Sequence, residues 1–201
     1  MKYLKEQLFP TDIYICDDVL EVEYIDSMRE HILSSQKDKD RDNWQSDPKL
    51  YNHKKYQALA DKIIEISALV FKDKQYVYDT FQITDMWSNV LKPGEAHRPH
   101  THSNNILSGV YYVDSDKAAG IQFYDPRPAA GVINPELTKF TKSNATAWEL
   151  DSQTNRMILF PSWLQHLVPI NKSSNKRISI AFNVMLKGIV GQSTDYQSAE
   201  F

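Results

Sequence analysis

The chain has one cysteine, Cys16, in 201 residues, so no intramolecular disulfide can form and a cysteine-rich zinc site is excluded. No apolar run approaches the roughly 18 residues needed to span a bilayer. The first ten residues, Met1 to Pro10, lack the apolar stretch of a signal peptide. An intracellular, reducing compartment, the cytoplasm, is the expectation these absences leave, with no membrane partner. A charge excess of either sign is also missing. Lys and Arg number 23 against 26 Asp and Glu, a formal net charge of −3, which offers no footprint for nucleic acid or an anionic membrane. There is no internal repeat, no low-complexity tract and no dividing linker. One domain over 1–201 is expected, with enough length to bury a sizeable core.

What is present divides near residue 75. Ile13–Cys16 follows a turn signal and reads as a short strand. Asp17 and Asp18 offer N-caps for a helix over about 18–36. Leu20, Tyr24, Met28 and Ile32 recur every four residues and define its buried face. His31 beside that face reads as a surface or packing residue. Residues 37–49 alternate in charge and read as a solvated loop in which Trp44 packs back on the domain. A second helix, about 54–72, carries Leu59, Ile63, Ile66 and Val70 on one side, and His53 before it is given no role. Beyond 76 the period changes to that of strands. Segments at 76–78, 81–84, 86–90, 106–113, 120–124, 145–150, 156–160, 166–170 and 178–186 are separated by Pro, Gly, Asp and Asn turns. Many short strands after two helices predict a mainly β, α+β fold: an antiparallel sandwich or jelly roll over 76–190, supported by residues 1–75. The tail from Gly191 is expected to be loosely held.

Three of the six histidines fall within His97-Arg98-Pro99-His100-Thr101-His102, and a fourth, His166, lies far downstream. Imidazole is the commonest side-chain ligand for first-row transition metals. On a strand His100 and His102 would face one way, and His166 on a later strand could supply a third ligand, leaving positions open as a catalytic metal needs. Eleven residues beyond His166 begins Arg177-Ile178-Ser179-Ile180-Ala181-Phe182-Asn183. Arg177, Ser179, Ala181 and Asn183 share one face, which reads as a pocket wall rather than a core face. A guanidinium there suits a carboxylate held in a bidentate fork, with Ser179 adding a hydroxyl donor.

His-x-His, a distal His and an Arg-x-Ser eleven residues later resemble the iron(II)/2-oxoglutarate-dependent dioxygenases, in particular a 2OG-Fe(II) oxygenase group with phage and marine bacterial members. Leu8-Phe9-Pro10-Thr11, Trp87-Ser88-Asn89-Val90-Leu91 with Pro93-Gly94, Leu107-Ser108-Gly109-Val110-Tyr111-Tyr112-Val113, Phe123-Tyr124-Asp125-Pro126-Arg127 and Leu159-Phe160-Pro161-Ser162-Trp163-Leu164-Gln165-His166 carry the same likeness in order along nearly the whole chain. The resemblance implies a double-stranded β-helix, iron on His100, His102 and His166, and 2-oxoglutarate as cosubstrate with O2. It implies that Arg177 and Ser179 hold the distal carboxylate of 2-oxoglutarate. Tyr112 stands where prolyl-hydroxylase-like relatives place a tyrosine against that cosubstrate, and Asn89 and Asn183 are further cosubstrate candidates. The implied reaction hydroxylates a small-molecule, amino-acid or peptidyl substrate and releases succinate and CO2. The implied location is the host cytoplasm if the gene is phage-borne.

The chain departs from most of that superfamily at His102, which stands where a ligating Asp or Glu is usual. An all-imidazole set leaves the iron one negative charge short. Alternatively one of the pair is no ligand and Asp125 or Asp114 completes the site. His97 is read as a neighbour of the ligands or a surface residue. Trp87 and Arg127, the latter first of all a turn residue in Asp125-Pro126-Arg127-Pro128, are the candidates for substrate contact. Two rival readings are a cupin-like three-histidine metalloenzyme that uses no 2-oxoglutarate and a non-catalytic jelly-roll binding or virion module.

Overall fold

The computed structural model describes residues 1–36, 42–117, 119–192, 194 and 196–201. The chain runs β1 (Tyr14–Cys16), α1 (Val22–Ser35), β2 (Trp44–Gln45), two 3-10 turns (Leu50–Asn52, Lys54–Tyr56) and α2 (Gln57–Asp73). Ten strands follow: β3 (Thr80–Leu91), β4 (His97–His100), β5 (Leu107–Asp114), β6 (Ile121–Tyr124), β7 (Ala147–Leu150), β8 (Met157–Pro161), β9 (His166–Val168), β10 (Arg177–Lys187), β11 (Ile189–Val190) and β12 (Ala199–Glu200). A six-stranded antiparallel sheet in the order β1-β8-β5-β10-β3-β2 faces a four-stranded sheet in the order β4-β9-β6-β7. The architecture is the expected jelly roll, two facing sheets rather than a closed barrel. Among the described residues no helix is long and apolar enough to cross a membrane.

Strand alternation decides what each side of the large sheet does. Ile178, Ile180 and Phe182 of β10, Tyr111 and Val113 of β5, and Met157 and Leu159 of β8 join Ile25, Met28, Ile32, Leu59, Ile63, Val70 and Phe71 of the helices in one core. Their neighbours Val110, Tyr112, Ile158 and Phe160 point the other way and pack with Ile121, Phe123 and Leu164 between the sheets. Full burial contributes roughly 1.5–3 kcal/mol per large apolar side chain. The helices therefore brace one face of the large sheet and leave the other free to form an interior. Gly109 permits this packing: a Cβ there would stand 2.2 Å from Phe182 Cζ and 2.8 Å from the Ile158 carbonyl.

Several local expectations are corrected. The first helix starts at Val22, and Glu21, its N-cap residue, makes no side-chain cap. Asp17 is instead drawn off by Arg156, whose Nε and Nη2 donate to its carboxylate at 2.6 and 3.1 Å. The helix buries Ile25, Met28 and Ile32, while Tyr24 stays exposed, so the stripe runs i, i+3, i+7 rather than every four residues. Trp44 packs inward as expected, buried opposite Val90, but it does so from a strand that pairs with β3. The solvated-loop reading of 37–41 lies outside the described residues. The tail does not hang free: Ile189–Val190 pairs with Ala199–Glu200, and Gly188 and Phe201 exchange backbone hydrogen bonds.

Candidate metal and cosubstrate site

The edge strand β4 brings the first histidines to the interior. His97 pairs with Val168 and His100 with His166, so β4 spends one residue more than β9 over the same span. That extra residue is a β-bulge, and Pro99, which has no N–H to lend to a ladder, sits inside it. The bulge turns His97, Arg98, Pro99 and His100 together toward one cavity. His102 lies past the strand end, held by its backbone N–H on the Ser162 carbonyl at 3.0 Å. Strict alternation is thus not what aligns His100 with His102. A bulge and a tethered loop do it.

His100, His102 and His166 converge, each with a ring nitrogen within 4.8 Å of the others. His102 Nε2 and His166 Nε2 are 3.3 Å apart. Two imidazole nitrogens each about 2.1 Å from one ion stand about 3 Å apart, so the spacing suits a shared cation. His100 Nδ1 lies 2.8 Å from the Arg98 carbonyl and His166 Nδ1 lies 2.9 Å from the Leu164 carbonyl. A carbonyl only accepts, so both Nδ1 atoms carry the proton and both Nε2 lone pairs are free to ligate. Burial, with smaller contributions from the neighbouring rings, pushes His102 down to about 4. It does the same for His166, against the opposing pull of the Leu164 carbonyl. Both rings are therefore neutral at pH 7, the form a metal needs. No carboxylate joins them among the described residues. Asp114 pairs with Arg29 at 3.2 Å, and Asp125 is gripped by Arg127. Neither aspartate is available to complete the set.

The histidines share a cavity of about 550 Å³ with Arg177, Ser179, Ala181, Asn89 and Trp87. Arg177 is only 3% exposed. Its Nε donates to the Ala119 carbonyl at 2.7 Å and its Nη1 to Ser179 Oγ at 2.9 Å, and the guanidinium lies 4.9 Å from the centroid of the Tyr112 ring. Burial draws its pKa below the ordinary arginine value, with Tyr112 opposing. No carboxylate pairs with it among the described residues. Tyr112 is fully buried, and among the described residues its hydroxyl makes no hydrogen bond of good geometry, lying only beside the Arg177 guanidinium. A buried cation without an anion beside a buried hydroxyl without an acceptor is costly unless a ligand completes both. An anionic ligand such as a carboxylate fits both vacancies in hydrogen bonding. Trp87 is half-buried with its ring 5.9 Å from that of His102.

Three expected site residues do not line the cavity: Tyr112, which sits behind Arg177, and Asn183 and Arg127. Asn183 is buried beneath the His102 loop, where Ser108 Oγ donates to its Oδ1 at 2.8 Å and also meets Ser162 Oγ at 2.8 Å. Its amide oxygen is spent on bracing. Arg127 is exposed and closes a bidentate pair with Asp125, Nε–Oδ1 2.9 Å and Nη2–Oδ2 2.8 Å. Conversely, His97, Arg98, Asn43 and Gln45 line the cavity without having been given a binding role. His97 is also pushed down to about 4, by burial first and Arg177 next. Gln45 Nε2 donates to Asn89 Oδ1 at 2.8 Å, so β2 closes the wall beside β3. Proline within a histidine-rich edge segment was the available signal for the bulge, whereas nothing local announces that β2 joins the large sheet.

Residues 85–183 match the family model described as "Putative 2OG-Fe(II) oxygenase". That span holds the three converging histidines, Arg177, Ser179 and Tyr112, and over it the chain is similar to this 2OG-Fe(II) oxygenase family. A comparison with curated proteins gives no match. Among solved structures, the non-heme alpha ketoglutarate dependent epimerase SnoN from nogalamycin biosynthesis is 10% identical with a TM-score of 0.65, over 89% of this chain and 80% of that one. HygX from Streptomyces hygroscopicus, with nickel and 2-oxoglutarate bound, is 11% identical with a TM-score of 0.60, over 95% and 91%. The viral collagen prolyl hydroxylase vCPH from Paramecium Bursaria Chlorella virus-1, a 2OG complex, is 12% identical with a TM-score of 0.56, over 87% and 96%. At these identities the likeness is one of fold.

Proposed function

We propose that this chain is an Fe(II)- and 2-oxoglutarate-dependent oxygenase that hydroxylates a C–H bond of a small-molecule, amino-acid or peptidyl substrate. The observation that carries the reading is Arg177, a buried guanidinium with no carboxylate partner among the described residues, facing the same cavity as three converging histidines. The family match over residues 85–183 and the bound ligands named for HygX and vCPH support it.

When bound, iron and 2-oxoglutarate supply oxygen activation coupled to decarboxylation of the cosubstrate to succinate. The chain supplies the rest. His100, His102 and His166 would hold the metal through ring nitrogens, two of which the carbonyls of Arg98 and Leu164 have already oriented. Arg177 would grip the distal carboxylate, with the Tyr112 hydroxyl donating to the same group and Ser179 fixing the guanidinium. Val110, Ile121 and Phe160 line the cavity and exclude bulk water from its floor. Trp87 and Asn89 form the wall against which a substrate lies. The unit that does this is one domain over 1–201, in which α1 and α2 stiffen the large sheet from outside.

The test is anaerobic titration of the metal-free protein with Fe(II) and then 2-oxoglutarate. A weak visible charge-transfer band should appear on adding 2-oxoglutarate, and succinate should form once O2 is admitted. Absence of both overturns the reading. A band that appears unchanged in Arg177→Met would instead favour a three-histidine metalloenzyme that does not use this arginine.

A further inference from the structure

The mouth of the same cavity carries information about the substrate. Of the side chains that line the cavity among the described residues, none is an aspartate or glutamate. Two are arginines: Arg177 at depth and Arg98 on the rim, in the β4 bulge between His97 and Pro99. Arg98 is exposed, and among the described residues its guanidinium has no ion pair or hydrogen bond. Its backbone carbonyl receives His100 Nδ1 at 2.8 Å, so the residue is anchored next to the metal cluster while its side chain stays free. Beside it the wall is neutral, made of the amides of Asn43, Gln45 and Asn89.

The balance of charge follows from the ligand set, and this step rests on the function proposed above. Three imidazoles ligate as neutral groups, so they add nothing to a divalent ion. A divalent ion and a dianionic cosubstrate cancel. With Arg177 given to the distal carboxylate of the cosubstrate, the loaded cavity keeps a net positive charge, and the guanidinium left facing the remaining space is that of Arg98. Had His102 been a carboxylate, part of that excess would have been removed at the metal. A cavity that is cationic with its cosubstrate loaded, in a chain of net charge −3, favours an anion.

We propose that the substrate bears an anionic group, a carboxylate or a phosphate, and that Arg98 receives it at the cavity mouth. Arg98 fills the role that Arg127 cannot, since Arg127 is already neutralised by Asp125 outside the cavity. The guanidinium fork matches both anion types, and the neighbouring amides donate without adding charge.

The experiment uses the full chain loaded with Mn(II) in place of Fe(II) and saturated with 2-oxoglutarate, both loadings being checked first by water-proton relaxation and by calorimetry. N-acetylglycine, its uncharged amide and inorganic phosphate are then titrated, and the Mn(II)-induced broadening of their own nuclear resonances is read. Saturable broadening is expected for N-acetylglycine, for phosphate or for both, which separates the two anion sources, and none for the amide. Arg98→Gln should weaken the anion about tenfold or more, whereas Arg127→Gln should leave it unchanged. Equal binding of the amide, an Arg98→Gln variant as good as the parent, or no anion binding overturns the proposal while leaving the oxygenase reading in place. Failure of Mn(II) or 2-oxoglutarate to load overturns both.

Discussion

Arg177→Met removes the guanidinium while keeping an unbranched side chain of similar length in a site that is 97% buried by the measure of its 3% exposure. In the parent, two donors already go to the Ala119 carbonyl and Ser179 Oγ, which fixes the plane of the fork before any ligand arrives. A carboxylate on the remaining donors gains charge-assisted hydrogen bonds at about 1.5–3 kcal/mol each, so losing them costs about 3 kcal/mol in 2-oxoglutarate affinity, roughly 150-fold. The effect is read in thermal unfolding with saturating Mn(II) in every sample. With 2-oxoglutarate at about 100 times the parental Kd the parent should gain about 2.7 kcal/mol, or roughly 5–11 °C for a chain of this size. The variant at the same concentration sits near its own Kd and gains only about 0.3 kcal/mol, which is under about 1 °C. Mn(II) affinity, which on the proposed ligand set depends on the histidines, should be retained and reports that the fold is intact. A variant with the parental shift and the parental Kd would refute the role given to Arg177.

Three further outcomes follow from the same geometry. His97, His102 and His166 are each held to about 4 mainly by burial, below an unfolded value near 6.5, so the unfolded chain binds protons the folded one refuses. Stability of the metal-free protein should therefore be flat above about pH 6.5 and fall steadily toward about pH 4, and urea unfolding at stepped pH would contradict this if it stayed level. Asn183→Ala strips a buried acceptor from Ser108 and should lower stability by about 1–3 kcal/mol while leaving 2-oxoglutarate affinity within about twofold by calorimetry. A tenfold loss of affinity without a loss of stability would return Asn183 to the cosubstrate. Gly109→Ala forces a methyl against the Phe182 ring and the Ile158 carbonyl and should cost about 1–3 kcal/mol, visible as a lower Tm. An unchanged Tm would mean that the sheet and its helices yield there more easily than their packing implies.

The parts legible in the sequence were those where a local pattern and the tertiary environment agree. The alternation over Arg177–Asn183 separates helix-facing Ile178, Ile180 and Phe182 from cavity-facing Arg177, Ser179 and Ala181, because a strand between a core and a cavity needs both sets. The distant His166 stood out because few residue types could serve a metal, and its ring does converge with those of His100 and His102. The first helix shows where such reasoning slips. Tyr24 and Ile25 are adjacent, and either fits a stripe through Met28 and Ile32; the sheet beneath selects Ile25. β2 was invisible for another reason: a two-residue strand has no period, and Trp44–Gln45 becomes one only because β3 extends far enough to pair with it.

For the arginines the deciding information is local. Asp125-Pro126-Arg127 places a carboxylate two residues before a guanidinium across a turn, and the Arg127 backbone N–H reaches Asp125 Oδ1 at 3.0 Å as the side chain closes the fork. A charge that can satisfy itself within three residues is a poor candidate for meeting a ligand. Arg98 has no acidic residue within three positions on either side except Glu95, whose carboxylate receives the Lys92 backbone N–H at 2.7 Å instead. Arg98 also stands in a bulge that prevents its strand from burying it. On the proposal made for Arg98, the cation near the histidine cluster that lacks a local partner is the one left for the substrate, and the contrast between Arg98→Gln and Arg127→Gln tests that rule on a single protein.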